Sequence, residues 1–409
     1  MTARPVRRPG AAVASLSLLA LVSAGLSACE SGTALPGTLQ GTDGPSATGA
    51  PSADARPAAR LRLNVRRGET EVPVDTVLAV RAQHASLESV TVTSPAGDVE
   101  GRFAEDGASW RAGERLEPGA AYTVRSVGRT EAGEKVTRVA RFTTQDLSLA
   151  QQTYASVAPL DGETVGVGMP VVVTFDVPVT DRAEMERHMH VRSAPQQPGT
   201  WHWISDSEAH WRPRQYWETG TEVHVDLDVN GVSAGGGVYG QHDREIDFTV
   251  GDAHVYRVDA RTHQMKVFAN GELLRTLPVT TGKPGFETRN GVKVIIEKFD
   301  EKRMNSETVG IASDSAEAYD IDDVQWAMRL TYSGEFIHAA PWSVGSQGRA
   351  NVSHGCTGMS PADAGWLYSM TRRGDVVETV GTNGDDMTLT NGYGDWNVGF
   401  KEYREGSAL

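Results

Sequence analysis

The chain has 409 residues, with 39 Lys and Arg against 53 Asp and Glu, a formal net charge of −14 at pH 7 and only two cysteines. The acidic balance disfavours nucleic acid and anionic surfaces as partners, and two cysteines exclude a disulfide-stapled scaffold. The length suits two to four domains, each able to build its own core.

At the N-terminus, Arg4, Arg7 and Arg8 precede an uncharged, largely apolar run from Ala11 to Ala28. This is the layout of a signal peptide, residues 1–28. The run ends in Leu26-Ser27-Ala28-Cys29, which resembles a bacterial lipobox, so that Cys29 is expected to become lipidated after cleavage; ordinary secretion is the competing reading. Removing residues 1–28 takes away three arginines and no acids, so the net charge moves from −14 to −17. Residues 29–60 are rich in Gly, Pro, Ser, Thr and Ala and nearly free of large apolar groups. They predict a flexible tether, because little apolar burial is available to offset the entropy of ordering.

From Leu61 the pattern changes to short alternating runs such as "LRLNV", "SVTVTSP" and "YTVRSV", separated by Gly, Pro and Asp turns. These predict antiparallel strands. The unit then repeats: "WRAGERLEPGAAYTV" (Trp110–Val124) matches "WRPRQYWETGTEVHV" (Trp211–Val225) at an offset of 101, and the units close on "RFTT" and "DFTV". Two tandem immunoglobulin-like β-sandwiches, 61–147 and 148–250, are predicted, with Trp110 and Trp211 in their cores. His188 and His190 are expected as exposed residues on one face of a strand, not as metal ligands, because no Cys or compact carboxylate set completes a site.

A third β-rich region, 251–380, opens with a hairpin turning at Asn270-Gly271, and further strands follow at "GVKVII" and "GEFIHAA". Its one clear helix begins at the Ser360 N-cap, with Pro361 in the first turn, Asp363 three residues after the cap and Gly374 as the expected stop. The tail, 381–409, contains Trp396, Phe400 and Tyr403 and is expected to pack back on the third region. The predicted fold is mainly β with few helices.

With Cys29 committed to lipid, Cys356 has no partner in the chain. A thiol that exchanges amides needs a proton acceptor and N–H donors aimed at an oxyanion. The stretch "GEFIHAAPWSVGSQGRANVSHGCTGMS" can supply them: His338 lies near a strand end, and Cys356 follows Ser353-His354-Gly355 in a loop, 18 residues after His338. Alone, "HGC" is also compatible with a buried Cys and a surface His.

That spacing, together with "NGELLRTLPVTTGKPG", "SPADAGWLY", "RRGDVVE" and "GDWNV", resembles the L,D-transpeptidases, enzymes that remodel bacterial peptidoglycan; the resemblance covers about 251–403. The sandwiches, lipobox and tether resemble those of its membrane-anchored actinobacterial members. The resemblance implies Cys356 as nucleophile, His338 as general base oriented by the Ala339 carbonyl, and the backbone amides of His354, Gly355 and Cys356 as the oxyanion hole, supported by Ser353. It further implies a flap from Met304 to Trp326, with Met304, Tyr319, Trp342 and Gly358 contacting substrate. Peptidoglycan tetrapeptide stems would be donor and acceptor, carbapenem β-lactams covalent inhibitors, and no cofactor or metal would be needed. The enzyme would sit lipid-anchored on the outer face of the cytoplasmic membrane. The sequence departs from the family at Gly358, where Asn or Arg is usual, at Thr357, where an aliphatic is common, and at "ETRNG" (Glu287–Gly291) in place of "TPxG". The acidic "DIDD" at 320–323 lacks a calcium-loop pattern and is expected as solvated flap. A sortase-like enzyme lacks this His-to-HGC spacing, and the chain contains no Ser-x-x-Lys for a penicillin-binding-type enzyme. A non-catalytic wall lipoprotein is the competitor from another class, and the presence of both Cys356 and His338 argues against it.

Overall fold

The computed structural model describes residues 58–409; the signal peptide, Cys29 and nearly all of the tether lie outside the described residues. The described chain is mainly β, and its longest helix, Pro361–Met370, has ten residues. Residues 60–143 form two four-stranded sheets, one of Arg60–Leu63, Ala79–Gln83, Ser109–Ala112 and Gly101–Phe103, the other built on the long pair Ser86–Ser94 and Ala121–Arg129. Between them lie Leu78, Leu116, Trp110 and Tyr122, the last stacked on Phe142 at 5.3 Å.

The next region repeats the plan. Val171–Phe175 and Glu208–Pro213 centre one sheet, and Glu222–Leu227 and Arg244–Val250 centre the other. The repeated Trp explains a repeated glycine. A Cβ on Gly101 would lie 2.2 Å from the Trp110 ring, and one on Gly199 would lie 2.3 Å from the Trp211 ring. Each indole therefore lies flat over a glycine of the adjacent strand, a close approach that any side chain would block.

His188 and His190 do not share a strand. The strand begins at Met189, and His188 sits just before it, partly buried, with its Nε2 3.0 Å from the Arg115 guanidinium. The reason is the short helix Arg182–Glu186, which ends immediately upstream and turns the imidazole toward the first sandwich.

In the third region a five-stranded sheet runs in the order Glu272–Pro278, Gln264–Ala269, His254–Asp259, Val376–Val380, Gly291–Val294. The Asn270-Gly271 turn has φ of 51° and 85°, the paired positive values of a tight hairpin. A second sheet comprises Glu297–Asn305, Asp320–Arg329, Phe336–Ala339 and Thr357–Met359. The helix Pro361–Met370 packs Ala364 and Leu367 into the shared core with Met265, Ile295, Met328 and Ile337. Asp363 N–H donates to the Ser360 hydroxyl, but the helix stops at Met370, not at Gly374. Thr371 turns extended at φ −68°, ψ 138°, and its hydroxyl bonds the Leu367 carbonyl and the Tyr256 phenol. Gly374 instead makes the turn into the strand Val376–Val380.

The tail meets expectation only in its first part. Residues near 382–397 contact the third region, where the Asn397 side chain both donates to and accepts from the Val292 backbone at 2.7 Å. Its later part packs on the second sandwich. Arg212 stacks on Trp396 and Tyr403 and donates to the Val398 carbonyl, and the Trp396 indole N–H donates to Gly168 O at 2.8 Å. The second sandwich offers buried polar groups that need partners, and the tail supplies them.

Candidate active site

Strand register positions the site. Phe336–Ala339 and Thr357–Met359 pair in parallel, with His338 opposite Gly358. Alternation then puts Cys356, two residues before Gly358, toward the same face as His338. Both line a cavity of about 280 Å³.

His338 is buried, and its Nδ1 lies 2.8 Å from Ala339 O. A carbonyl can only accept, so Nδ1 carries the proton and Nε2 keeps its lone pair. Burial lowers the His338 pKa and the Ala339 hydrogen bond opposes this only in part. The imidazole is therefore neutral near neutral pH. Trp342, half exposed at the rim, lies 5.8 Å from His338, ring to ring.

Burial pushes the Cys356 thiol up to about 12; a backbone hydrogen bond from Phe336 pulls it down, Glu335 raises it and Lys293 lowers it. The resting group is a neutral thiol. Its Sγ–H points to Gly334 O at 3.7 Å, and no hydrogen bond joins it to His338 among the described residues. Cys356 and His338 therefore form no resting ion pair.

The loop before Cys356 is held from several sides. Ser353 Oγ donates to Cys356 O at 2.6 Å, and Thr288 Oγ1 donates to Gly355 O at 2.8 Å. The Gly355 N–H, one of three amides expected to face an oxyanion, instead donates to Ser353 Oγ at 3.2 Å. Gly355 has φ +114°, which rotates its peptide away from the other two. The N–H groups of His354 and Cys356 donate to no protein group among the described residues, leaving two candidate donors.

The hairpin Glu297–Asn305/Asp320–Arg329 roofs the cavity with Met304, Ile321 and Val324, and Tyr319 adds its ring 5.2 Å from His354. Burial pushes the Tyr319 phenol up to about 12, with Cys356 adding to the effect. His354 Nε2 meets Glu317 Oε2 at 2.8 Å, and Glu317 also pairs with Lys283. These bonds, first that from Lys283 and then that from His354, hold the Glu317 carboxyl below its usual range. Gly358 lines the cavity, and a Cβ there would meet Ala340 Cβ at 3.0 Å and Thr280 Cγ2 at 3.1 Å. The acidic run opens the second flap strand, where Asp320 pairs with Arg303. Among the described residues, no group of three or more His, Cys, Asp or Glu is arranged to hold a metal.

Of the ten catalytic and substrate-contacting residues expected from sequence, Met304, Tyr319, His338, Trp342, Ser353, His354, Cys356 and Gly358 line the cavity, whereas Ala339 and Gly355 do not. Sequence reasoning missed Lys283 and Glu317, whose pairing spans 34 residues, and the buried charges beneath the thiol, Lys293 and Glu335. A lysine inside "GVKVII" looks like the solvent face of an alternating strand, yet Lys293 is fully buried.

A cysteine and a neutral histidine sharing one cleft is an arrangement suited to nucleophilic acyl transfer. A family profile for the L,D-transpeptidase catalytic domain matches residues 253–379, and one for a bacterial Ig domain matches residues 69–233. L,D-transpeptidase 2 of Mycobacterium tuberculosis is 37% identical over 350 residues, covering 85% of each chain. L,D-transpeptidase 5 of the same species is 30% identical over 367 residues, covering 87% of this chain and 79% of the relative. The solved structure of the L,D-transpeptidase LdtMt1 in complex with imipenem is 37% identical, covering 56% of this chain and 99% of that one, with a TM-score of 0.50. The chain belongs to the L,D-transpeptidase family and is an enzyme of that type.

Proposed function

We propose that Cys356 is the nucleophile and His338 the general base of a peptidoglycan L,D-transpeptidase that forms 3→3 cross-links. The observation that carries this reading is the tautomer of His338: Nδ1–H is tied to Ala339 O, leaving Nε2 as an acceptor within the cavity that contains Cys356. The thiol proton passes to His338 Nε2 as Sγ attacks the carbonyl of the L-centre of diaminopimelate in a tetrapeptide stem. The C–N bond to the terminal D-Ala breaks, its amine takes the proton from His338, and a thioester remains on Cys356. The side-chain amine of another stem's diaminopimelate then displaces the thiol and forms the cross-link; attack by water makes the enzyme an L,D-carboxypeptidase. The amides of His354 and Cys356 are the candidate donors to the tetrahedral oxyanion. Carbapenems, with a strained carbonyl, would acylate the same sulfur, in keeping with the imipenem-bound relative. A lipid on Cys29 would place the enzyme on the outer face of the cytoplasmic membrane, below the wall it remodels.

The test is mass analysis of muropeptides after incubation with purified tetrapeptide stems. Wild type should release D-Ala and yield dimers, Cys356→Ala should yield neither, and His338→Ala should lose about 10²–10⁴-fold in rate. Since His338 must be neutral to accept a proton and burial lowers its pKa, the acid limb of activity should fall below about pH 6.5. A Cys356→Ala enzyme that still releases D-Ala contradicts the reading.

A further inference from the structure

Beneath the thiol lies an ion-pair cluster that no step above uses. Glu335 is 4% exposed and Lys293 is fully buried, and the Lys293 ammonium pairs with Glu335 Oε2. Glu335 Oε1 accepts from both the backbone N–H and the guanidinium of Arg289 at 3.0 Å. A buried pair of this kind adds little net stability compared with apolar residues of similar size, because desolvation consumes the attraction. Its place in the chain suggests another use. Glu335 lies between Gly334, whose carbonyl accepts the Cys356 S–H, and Phe336, whose amide hydrogen-bonds the same sulfur. The residue before Arg289 is Thr288, which holds the Gly355 carbonyl. One carboxylate thus anchors both the segment that cups the thiol and the segment that braces its loop.

Charge gives the cluster a second consequence. Whether or not the shared proton sits on Lys293, the pair sums to zero; Arg289 adds a positive charge on the solvent side, so the one buried cation near the sulfur is Lys293. The fully buried Lys293 ammonium acts on the thiol with little screening, and the Glu335 carboxylate opposes it. The other titratable groups around the thiol are His338 on the neighbouring strand, neutral as shown above, His354 on its own loop, whose Nε2 faces the Glu317 carboxylate, and Tyr319 on the flap, held uncharged. None of these supplies a buried cation.

We propose that Lys293, Glu335 and Arg289 are positioning residues for Cys356: the buried pair fixes the Gly334–Phe336 segment around the sulfur, and the Lys293 ammonium supplies a buried positive charge against which the thiolate forms. This deepens, and rests on, the reading of Cys356 as nucleophile. Lys293 contributes the charge, while Glu335 holds it in place and opposes its effect on the thiol.

The two roles predict changes of opposite sign, which a purely structural role does not. In full-length chain carrying Cys29→Ala, Cys356 is the sole thiol, and its alkylation by iodoacetamide can be followed by intact mass from about pH 6 to pH 10. Lys293→Met should slow alkylation at every pH by about tenfold or more, the equivalent of a rise of one pKa unit or more. Lys293→Arg should recover most of the rate. Glu335→Gln, which keeps an acceptor for Arg289, should alkylate at least as fast as the parent even if its thermal midpoint falls. Equal slowing in Lys293→Met and Glu335→Gln, or no change in either, overturns the proposal. Should Lys293→Met fail to fold, Lys293→Arg and Glu335→Gln decide it: both slower than the parent overturns it, both near or above the parent supports it. Acylation of the parent by tetrapeptide stems, measured alongside, separates the two readings: a thiol that alkylates but never acylates refutes the nucleophile assignment, whereas the variant series reports on the charge cluster alone.

Discussion

The two sandwiches carry the same Trp-Arg pair and put it to different ends. Trp110 and Trp211 both fill cores, but Arg111 is exposed whereas Arg212 is 2% exposed and lies beneath Trp396, Phe400 and Tyr403 of the tail. The core of the first sandwich is closed on itself. That of the second is continuous with Val294, Ile296, Val376 and Tyr393 of the catalytic region and its tail. The joints differ in the same sense. The first sandwich meets the second through polar contacts, Arg115 with His188 and Asp228 and Glu117 with Asn230. The second meets the catalytic region through tight backbone contacts, Gly166 N–H to Arg373 O at 2.7 Å and Gly168 N–H to Gly374 O at 2.8 Å. The first sandwich therefore has a hydrophobic core of its own, whereas the second shares its core with the catalytic region.

The sharpest way to break that distinction is to unpin the tail. Tyr403 is fully buried, and its hydroxyl donates to Asp395 at 2.7 Å. Tyr403→Ala should cost about 3–5 kcal/mol and lower the denaturation midpoints of the second sandwich and the catalytic region together. Separate transitions for these two would refute their unity.

A smaller effect should come from pH. His210 is fully buried with Nδ1 3.0 Å from Asp395 and Nε2 2.9 Å from Glu208, so both nitrogens donate and the ring is an imidazolium. Burial alone would lower its pKa, but the Asp395 charge and the two hydrogen bonds overcome this and raise it to about 9. A folded pKa above the ordinary 6.5 means that the stabilisation is complete below about 6.5 and is lost as pH rises through about 9. Asp395, buried but held below 3.8 by His210, contributes above that value and loses its contribution in acid. Chemical denaturation across this range should show the alkaline loss in wild type and its absence in His210→Gln.

Arg115→Ala at the polar joint should change stability by less than about 1 kcal/mol, read as a slight loosening between the sandwiches by small-angle scattering. Trp110→Ala should have no effect on the catalytic unit. Calorimetry should show a lowered transition for the first sandwich alone, with acylation of Cys356 unchanged.

What the sequence disclosed divides along physical lines. Local signals were legible: the Asn270-Gly271 turn, the Ser360 cap and the Trp-Arg repeat each depend on neighbours in the chain or on one periodicity. So was the His338–Cys356 spacing, because a strand and a loop of fixed length bring the two together. The tail's packing on the third region is legible, but its second set of partners, on the second sandwich, is not, because they lie nearly two hundred positions away, as in His210–Asp395 with a separation of 185. Trp396 and Tyr403 announce burial but not against what. The helix stop was misjudged since Gly374 carries the turn-forming signal, while Thr371 ends the helix through a tertiary bond to Tyr256. Lys293 was passed over because a buried charge is indistinguishable in sequence from an exposed one.

The central claim is that acyl transfer at Cys356 belongs to the unit formed by the second sandwich, the catalytic region and the tail. Intact-mass kinetics with tetrapeptide stems or a carbapenem, on the full chain and on residues 148–409, test it directly. The account predicts one acyl adduct per molecule, on Cys356, forming at the same rate in both. No adduct on the full chain, or an adduct on a residue other than Cys356, would contradict the assignment of the nucleophile, and loss of acylation in the shorter chain alone would contradict the division of the molecule.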